Sequence, residues 1–361
     1  MANTTISSGN VATRFDSEFF REYVRAQRFS DITGTGMNMP ICIKEERGGK
    51  KISIPFVTRL DGNGVTGSST LRGNGEAIGN YADELTPTYY RHAVEFDKEE
   101  AEKPEFDIRS AARPLLMDWG MELTRDQVIQ ALAAVDNGTT YANFGDASEA
   151  VKDAWSVNNS DRILYGTAKS NYSGDVSVDL AKVDATNDKL DLDIVGIAKR
   201  MAQTADPKIR PWKPGPQNYE QYMMLVGSRA YRDFFNDSTV QSQLQNARER
   251  ARGNPLFMPG DLMFDNVLIR EIPEITTLLT DSAALSTAGN GSQPVEPCFL
   301  VGAQAVGWAL SRRARTIVDN DYDYNFQPGV AVEMKHHIKK LMFNDKQHGV
   351  VTVFVDGTAD A

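Results

Sequence analysis

Two segments with alternating side chains flank a stretch that can be neither helix nor strand. On one side Ile52, Ile54, Phe56 and Leu60 alternate with Ser53, Pro55, Val57 and Arg59. On the other, Tyr90, His92, Val94 and Phe96 alternate within P-T-Y-Y-R-H-A-V-E-F. A period near two is the mark of a half-buried strand. Between them lie six glycines, at Gly62, Gly64, Gly67, Gly73, Gly75 and Gly79. The spacing predicts a two-stranded arm with a tip of about 25 residues, far beyond the usual two to five of a hairpin connection. A ten-residue strand spans roughly 33 Å. An isolated ribbon of two strands is barely stable in water, so the arm is expected to find its partner on another molecule. Pro55 cannot donate to a ladder, which places its strand at an edge or in an arm.

The stretch D-G-N-G-V-T-G at 61–67 also spells G-x-G-x-x-G. That fingerprint binds dinucleotides only when a helix follows the glycines and offers its N-terminus to the pyrophosphate. Here S-S-T-L-R-G-N-G-E-A-I-G-N follows. Each interior glycine costs a helix about 1 kcal/mol relative to alanine. A phosphate loop fails too, because Ser68 stands where its lysine belongs.

A chain of 361 residues corresponds to about two domains and needs no disulfide or metal to fold. No segment approaches the ~20 apolar residues of a membrane helix. The start, M-A-N-T-T-I-S-S-G-N, has neither the basic region nor the apolar core of a signal peptide. The formal net charge of −10 argues against a protein whose main work is gripping nucleic acid. Basic clusters at 248–252 (R-E-R-A-R) and 312–315 (R-R-A-R) read as solvated faces, with ion pairs to neighbouring chains as the functional alternative. Cys42 and Cys298 follow no metal spacing. Neighbouring His336 and His337 point to opposite faces of a strand and cannot chelate one ion. No G-x-S-x-G, H-E-x-x-H or paired C-x-x-C occurs. Neither catalytic residues nor a cofactor or metal site are expected.

Along the chain, residues 16–28 read as a short amphipathic helix with Phe19, Phe20 and Tyr23 on its apolar stripe. A helical region runs from Phe106 to Val135, one kinked helix or two. Ile108, Ala112, Leu115, Trp119 and Leu123 face inward, Pro114 marks a kink or internal start, and Thr124 with Gln127 spells a capping box. Residues 136–190 read as loops with short strands at R-I-L-Y-G and D-V-S-V-D-L. Then comes an α/β pattern. L-D-L-D-I-V-G-I-A-K-R-M-A-Q is a helix with Ile194, Ile197, Ala198 and Met201 inward. Y-E-Q-Y-M-M-L-V-G is a strand, and Ser228 caps the next helix. Another helix covers about 238–252, V-L-I-R-E-I is a strand, and P-C-F-L-V-G-A-Q-A-V-G-W-A-L is a strand followed by a helix. V-A-V-E-M-K-H-H-I-K-K-L-M-F and V-V-T-V-F-V form a final hairpin.

The order of parts resembles that of tailed-phage major capsid proteins with the α+β Hong Kong 97 fold. The wording is similar to the family of the major capsid protein of phage N-four and its relatives. The phrases that carry this are P-F-V-T-R-L-D-G-N-G-V-T-G-S-S-T-L-R-G-N-G-E-A-I, N-P-L-F-M-P-G-D-L-M-F-D-N-V-L-I-R-E, F-L-V-G-A-Q-A-V-G-W-A and H-H-I-K-K-L-M-F-N-D-K-Q-H-G-V-V-T-V. The resemblance implies an N-terminal arm at 1–49, an extended loop at 50–98 and a peripheral domain with a spine helix at 99–190. An axial domain at 191–318 and a return to the peripheral domain at 319–361 complete it. It implies self-assembly into hexamers and pentamers of an icosahedral phage head that encloses double-stranded DNA, contacted without sequence specificity on the inner face. Assembly in the host cytoplasm and incorporation into the virion follow, with portal, scaffolding and decoration proteins as further partners and no membrane. Only about 50 residues precede the first arm strand, which leaves no room for a built-in scaffolding domain, so the scaffold is expected to be a separate protein. The intersubunit contacts implied are Gly62, Gly64, Gly67, Leu71, Arg72, Gly73 and Gly75 at the loop tip, and Phe19, Phe20 and Tyr23 in the arm. A bacterial nanocompartment shell protein of the same fold, or a nucleotide-binding enzyme, are the alternatives.

The member that names this fold welds its subunits through a lysine on the extended loop and an asparagine of a neighbour. This loop has Lys51 near its root and no further lysine until Lys98. Arg59, Arg72 and Arg91 stay protonated and cannot act as amine nucleophiles. Mature particles boiled in detergent and reductant are therefore expected to run as one band at the monomer mass of 39.9 kDa. A ladder of covalent multimers would overturn this.

Overall fold

The computed structural model describes residues 25, 28–48, 50–101, 107–212, 221–248, 261–319 and 326–360. The fold is α+β. The chain divides into a larger unit, residues 28–87, 125–311 and 336–361, and a smaller one, residues 1–27, 88–124 and 312–335. The expected helix at 16–28, with Phe19, Phe20 and Tyr23, lies outside the described residues, as does R-E-R-A-R apart from Arg248.

The larger unit is built on a six-stranded sheet in the order Asp261–Phe264, Val267–Glu271, Tyr222–Val226, Val295–Val301, Val350–Asp356 and Ile163–Tyr165. The inner strands are buried on both faces, as near-continuous apolar runs such as Y-M-M-L-V require. One face sends Met223, Leu225, Phe299 and Phe354 toward Trp155 and the end of the long helix at Val128, Ile129 and Leu132. The other sends Met224, Leu300, Val351 and Val353 toward two helices, Leu192–Thr204 and Ser228–Asn236. Asp191 caps the first of these by accepting from the Ile194 N–H at 2.8 Å. Ile194, Ala198 and Met201 face inward as the sequence predicts, and Val195 is more deeply buried than Ile197.

The long helix is single, Ile108–Ala133, with Pro114 inside it. Asp107 caps its start, accepting from the Arg109 N–H and the Ser110 hydroxyl. Leu116 is buried where Leu115 was expected; Leu115 is 48% exposed. Thr124 and Gln127 form no capping box. They sit in mid-helix, where the Thr124 hydroxyl donates back to the Gly120 carbonyl at 2.8 Å.

Other expectations need correction. D-V-S-V-D-L is not a strand but the short helix Val176–Leu180, started by Asp175, which accepts from the Val178 N–H. The helix Glu149–Asn158 was read as loop, because only Val151 and Trp155 mark its inner side. A-Q-A-V-G-W-A-L does not turn helical. After a bend with Gln304 at φ 59°, the strand Val306–Asp319 begins and pairs in parallel with Ile41–Glu45. Gly307 allows this, since a Cβ there would lie 2.7 Å from Leu341. The two terminal strands do not pair either. Gly329–Lys340 and Val350–Asp356 belong to different sheets. The local hairpin is Met342–Phe343 with Lys346–Gln347, closed by Asn344 and Asp345 at φ 49° and 61°, as a two-residue primed turn demands.

Ser228 is not the cap of its helix. Gly227 is, and the Ser228 N–H donates to the Thr276 hydroxyl. The reason is a buried carboxylate. Glu296 accepts from the Thr276 hydroxyl at 2.9 Å and the Ala230 N–H at 3.2 Å, and a Cβ on Gly227 would collide with it. Burial pushes the Glu296 pKa up to about 7, opposed by these two hydrogen bonds. An acid whose pKa rises on folding is most favourable protonated, so its stability contribution is lost as pH climbs from about 4.5 through 7. Glu296→Gln is expected to stabilise the chain by up to about 3 kcal/mol at pH 8 and little at pH 5. Urea midpoints at the two pH values provide the check; equal effects would contradict it.

Candidate assembly surface

The arm exists, with a different second strand. Ile52–Val57 pairs antiparallel with Asn80–Leu85, from Ile52 opposite Leu85 to Val57 opposite Asn80. The alternating segment Thr88–Glu95, expected as the partner, lies in another sheet beside Gly329–Lys340. N-Y-A-D-E-L hides its strand character because only Tyr81 and Leu85 are large and apolar. The Thr86-Pro87 step then separates it from the next strand.

The root of the ribbon is fixed in two ways. Ile52, Phe56 and Leu85 are buried with Ala309, Leu341 and Phe343. The Phe56 and Phe343 rings meet edge to face at 5.8 Å, a favoured aromatic geometry. Beside them Lys339 donates to Asp83 at 2.8 Å and pairs with Asp136 at 3.1 Å. The second Asp83 oxygen accepts from the Met342 N–H at 3.0 Å. Burial works against the Lys339 charge, yet the bond and charge of Asp83, joined by Asp136, hold its pKa above the ordinary lysine value. The next residue points the other way. Lys340 is fully buried, donates to the Leu132 carbonyl at 3.2 Å and lies 5.3 Å from the Trp155 ring. Burial lowers its pKa to about 7, partly countered by Asp136. Nearer solvent, Lys51 pairs with Glu84.

The tip, residues 58–79, is held by its own polar groups. Thr58 and Gly79 exchange hydrogen bonds at its neck: the Thr58 N–H donates to the Gly79 carbonyl, and the Gly79 N–H to the Thr58 hydroxyl. Glu76 spans the loop, each oxygen accepting a backbone N–H at 2.8 Å, from Asp61 and from Gly62. Those bonds lower the Glu76 pKa. Gly62 is needed for that approach, because a Cβ would lie 2.7 Å from the carboxylate. Gly64, Gly67 and Gly73 take positive φ, and Gly75 has open space around it. Leu71, Arg72 and all five of these glycines are exposed. Leu60, Leu71 and Ile78 are each more than 60% exposed. No helix follows these glycines within the tip, so the anion-binding geometry of a nucleotide site is not formed there.

Other clusters have structural explanations. His336 hydrogen-bonds Gln127 at 2.6 Å, and His348 lies against Phe56 and Phe343. Burial holds both near pKa 4. Carboxylates of Glu149, Asp153 and Asp175 lie within 4.8 Å of one another, but Asp153 accepts from the Val176 N–H and Asp175 caps the same short helix. No helix of the described residues is long and apolar enough to cross a membrane. Sequence reasoning missed Glu76, Asp83, Asp136 and Lys339. Carboxylates are too numerous for any pair to stand out, and only the folded chain brings Asp83 and Asp136 to Lys339 and Glu76 across the tip.

Asp83→Ala removes one of the two carboxylate partners of the mostly buried Lys339 and is expected to cost about 3 kcal/mol. Glu84→Ala, at the half-exposed pair, should cost less than about 1 kcal/mol. Denaturant titration of both variants tests the contrast; similar costs would mean that the Lys339 cluster does not anchor the ribbon.

Comparison with known proteins agrees with this architecture. Residues 3–356 match a family model described as phage capsid protein. A curated major capsid protein of Pseudomonas phage KPP25 is 23% identical over 370 residues, covering 95% of this chain and 94% of that protein. Among solved structures, the cyanophage Pam1 capsid asymmetric unit superposes with a TM-score of 0.90 at 32% identity, with both chains fully covered. The capsid of Ralstonia phage GP4 gives 0.73 at 21% identity, again over all of both chains.

Proposed function

Because the chain belongs to the phage capsid protein family and is a major capsid protein of a phage head, we propose that its ribbon is the element that joins one copy to the next. A single observation carries this reading. The ribbon is anchored at its root by an aromatic and ionic cluster, while its tip presents Leu60, Leu71 and Ile78, each more than 60% exposed. Apolar side chains on a braced loop are suited to a neighbour's surface. Gly62, Gly64, Gly67, Leu71, Arg72, Gly73 and Gly75 are the contact residues at that tip. Phe19, Phe20 and Tyr23 contribute from the N-terminal arm.

The chain's relatives are phage capsids, which favours a virion shell over a cellular compartment. The copies form hexamers and pentamers in the host cytoplasm, guided by a separate scaffolding protein and completed by a portal, with a decoration protein as a further partner. The closed head holds double-stranded DNA without reading its sequence. The boundaries proposed are 1–49, 50–98, 99–190, 191–318 and 319–361, for arm, extended loop, peripheral domain, axial domain and peripheral return, with the ribbon itself ending at Leu85 and Val350–Asp356 sharing its sheet with strands of 191–318. No catalytic step is assigned to the chain, and the shell is held by noncovalent contacts.

Deleting residues 62–76 while keeping the Thr58–Gly79 neck should leave a subunit that melts as the parent does. It should fail to form closed shells in electron micrographs. Normal particles from that deletion would sink the proposal.

A further inference from the structure

The smaller unit carries a sheet face whose charge is opposite to that of the chain. On one side of this sheet Val94, Val330 and Val332 pack with Leu116 and Trp119 of the long helix. Successive side chains on a strand point to opposite faces. The odd-numbered residues of Thr88–Glu95 and of 329–335 therefore lie on the side away from those contacts. There Tyr89 is half exposed, with the Arg312 guanidinium 5.9 Å and the Lys335 ammonium 5.2 Å from its ring centre. Glu333 accepts from Arg312 at 2.9 Å and from Arg315 at 2.6 Å. Both arginines remain about half exposed, 44% and 55%. Arg91 and Glu95 are exposed on the same face, so four cations stand there against two carboxylates.

The cations are pre-arranged. Glu333 holds two guanidiniums, and Tyr89 offers its ring face to two positive groups, a geometry attractive in itself. Fixing long side chains in advance lowers the entropy cost of a later contact. The chain as a whole has a net charge of −10, so the rest of each copy is acidic on balance and attracts a basic face of another copy. A protein partner suits the face better than a phosphate backbone. Tyrosine and arginine are the types that dominate protein–protein hot spots. Further along the Val306–Asp319 strand Ile317 and Val318 are exposed, as is Phe326, and a nucleic acid would leave such side chains uncovered.

We propose that the face centred on Tyr89, with Arg312, Arg315 and Lys335, is a copy-to-copy interface that receives an acidic surface of a second copy of this chain. It is separate from the ribbon in sequence and in residues, and it rests on the capsid reading. In the shell the exposed cations exchange water for carboxylates, and complementary charge fixes register and orientation more than it adds affinity.

Amine acylation of Lys335, read by mass spectrometry, tests this in three samples of the full chain: unassembled subunits, DNA-free shells and DNA-filled heads. Interface burial is expected to slow labelling about tenfold in both assembled forms, since the centre of an interface excludes solvent. Protection only in DNA-filled heads would assign the face to nucleic acid and overturn the proposal. Labelling in shells as fast as in free subunits would overturn it too. The variant Arg312→Gln with Arg315→Gln, whose amides can still donate to Glu333, should melt within a few degrees of the parent yet give about tenfold fewer closed shells, and Tyr89→Ala should act in the same direction. Parent-level yields from both variants would contradict the proposal. A parent chain that formed no shells would overturn the capsid reading with it, whereas shells with an open Lys335 would overturn this proposal alone.

Discussion

Much of the ribbon's position depends on one ammonium group held between two carboxylates. Lys339 reaches Asp83 on the ribbon and Asp136 beyond the long helix, and Asp83 in turn accepts from the backbone at Met342. A buried ion pair adds little net stability over a well-packed apolar cluster, but breaking one partner is costly. Its value lies in direction. Apolar contacts of Phe56 and Leu85 would tolerate sliding, whereas the Asp83 oxygens accept from two donors fixed on one segment. Strand alternation makes this possible. Lys339 turns to the ribbon root while Lys340, one residue on, turns into the core beneath Trp155.

What could be read in the sequence followed from how much apolar area each element buries. The strands at 222–226, 295–301 and 350–356 are buried on both faces, so unbroken runs such as Y-M-M-L-V announce them. The helix at 192–204 has a cap and a regular stripe. The glycine-rich tip was legible as an irregular excursion because glycine is a poor fit to both regular structures. Elements with one thin buried stripe were misread. Asn80–Leu85 buries only Asp83 and Leu85, and its aspartate counts as polar in any hydropathy pattern. Glu149–Asn158 looks like loop for the same reason. A-V-G-W-A-L has the spacing of a helix, and only its parallel pairing with Ile41–Glu45 decides otherwise. Pairing between segments more than 250 residues apart leaves no local trace.

The acidity of the chain bears on how copies meet. Like-charged subunits repel, and the repulsion is long-ranged at low salt and weakens over about 10 Å at 0.1 M. Contacts that overcome it must either carry no charge or invert it locally. The tip approaches the first: its cations Arg59 and Arg72 balance the carboxylates of Asp61 and Glu76, Arg59 pairs with Asp61, and Leu60, Leu71 and Ile78 are apolar.

A protein that must join copies of itself also has to avoid joining them too early. Each ribbon strand pairs only with the other among the described residues, so each leaves a row of backbone groups open, the usual template for uncontrolled pairing. Several features blunt these edges. Pro55 removes a donor in the middle of Ile52–Val57. Lys51 and Glu84 place charges at the root, where strand addition would have to begin. The tip's glycines and self-satisfied turns offer no extended segment for a second chain to match. A long, flat, apolar ribbon would bind harder, but in any register. This one gains little from any single contact, so its hold on a neighbour accumulates only where root, tip and partner surface all fit together.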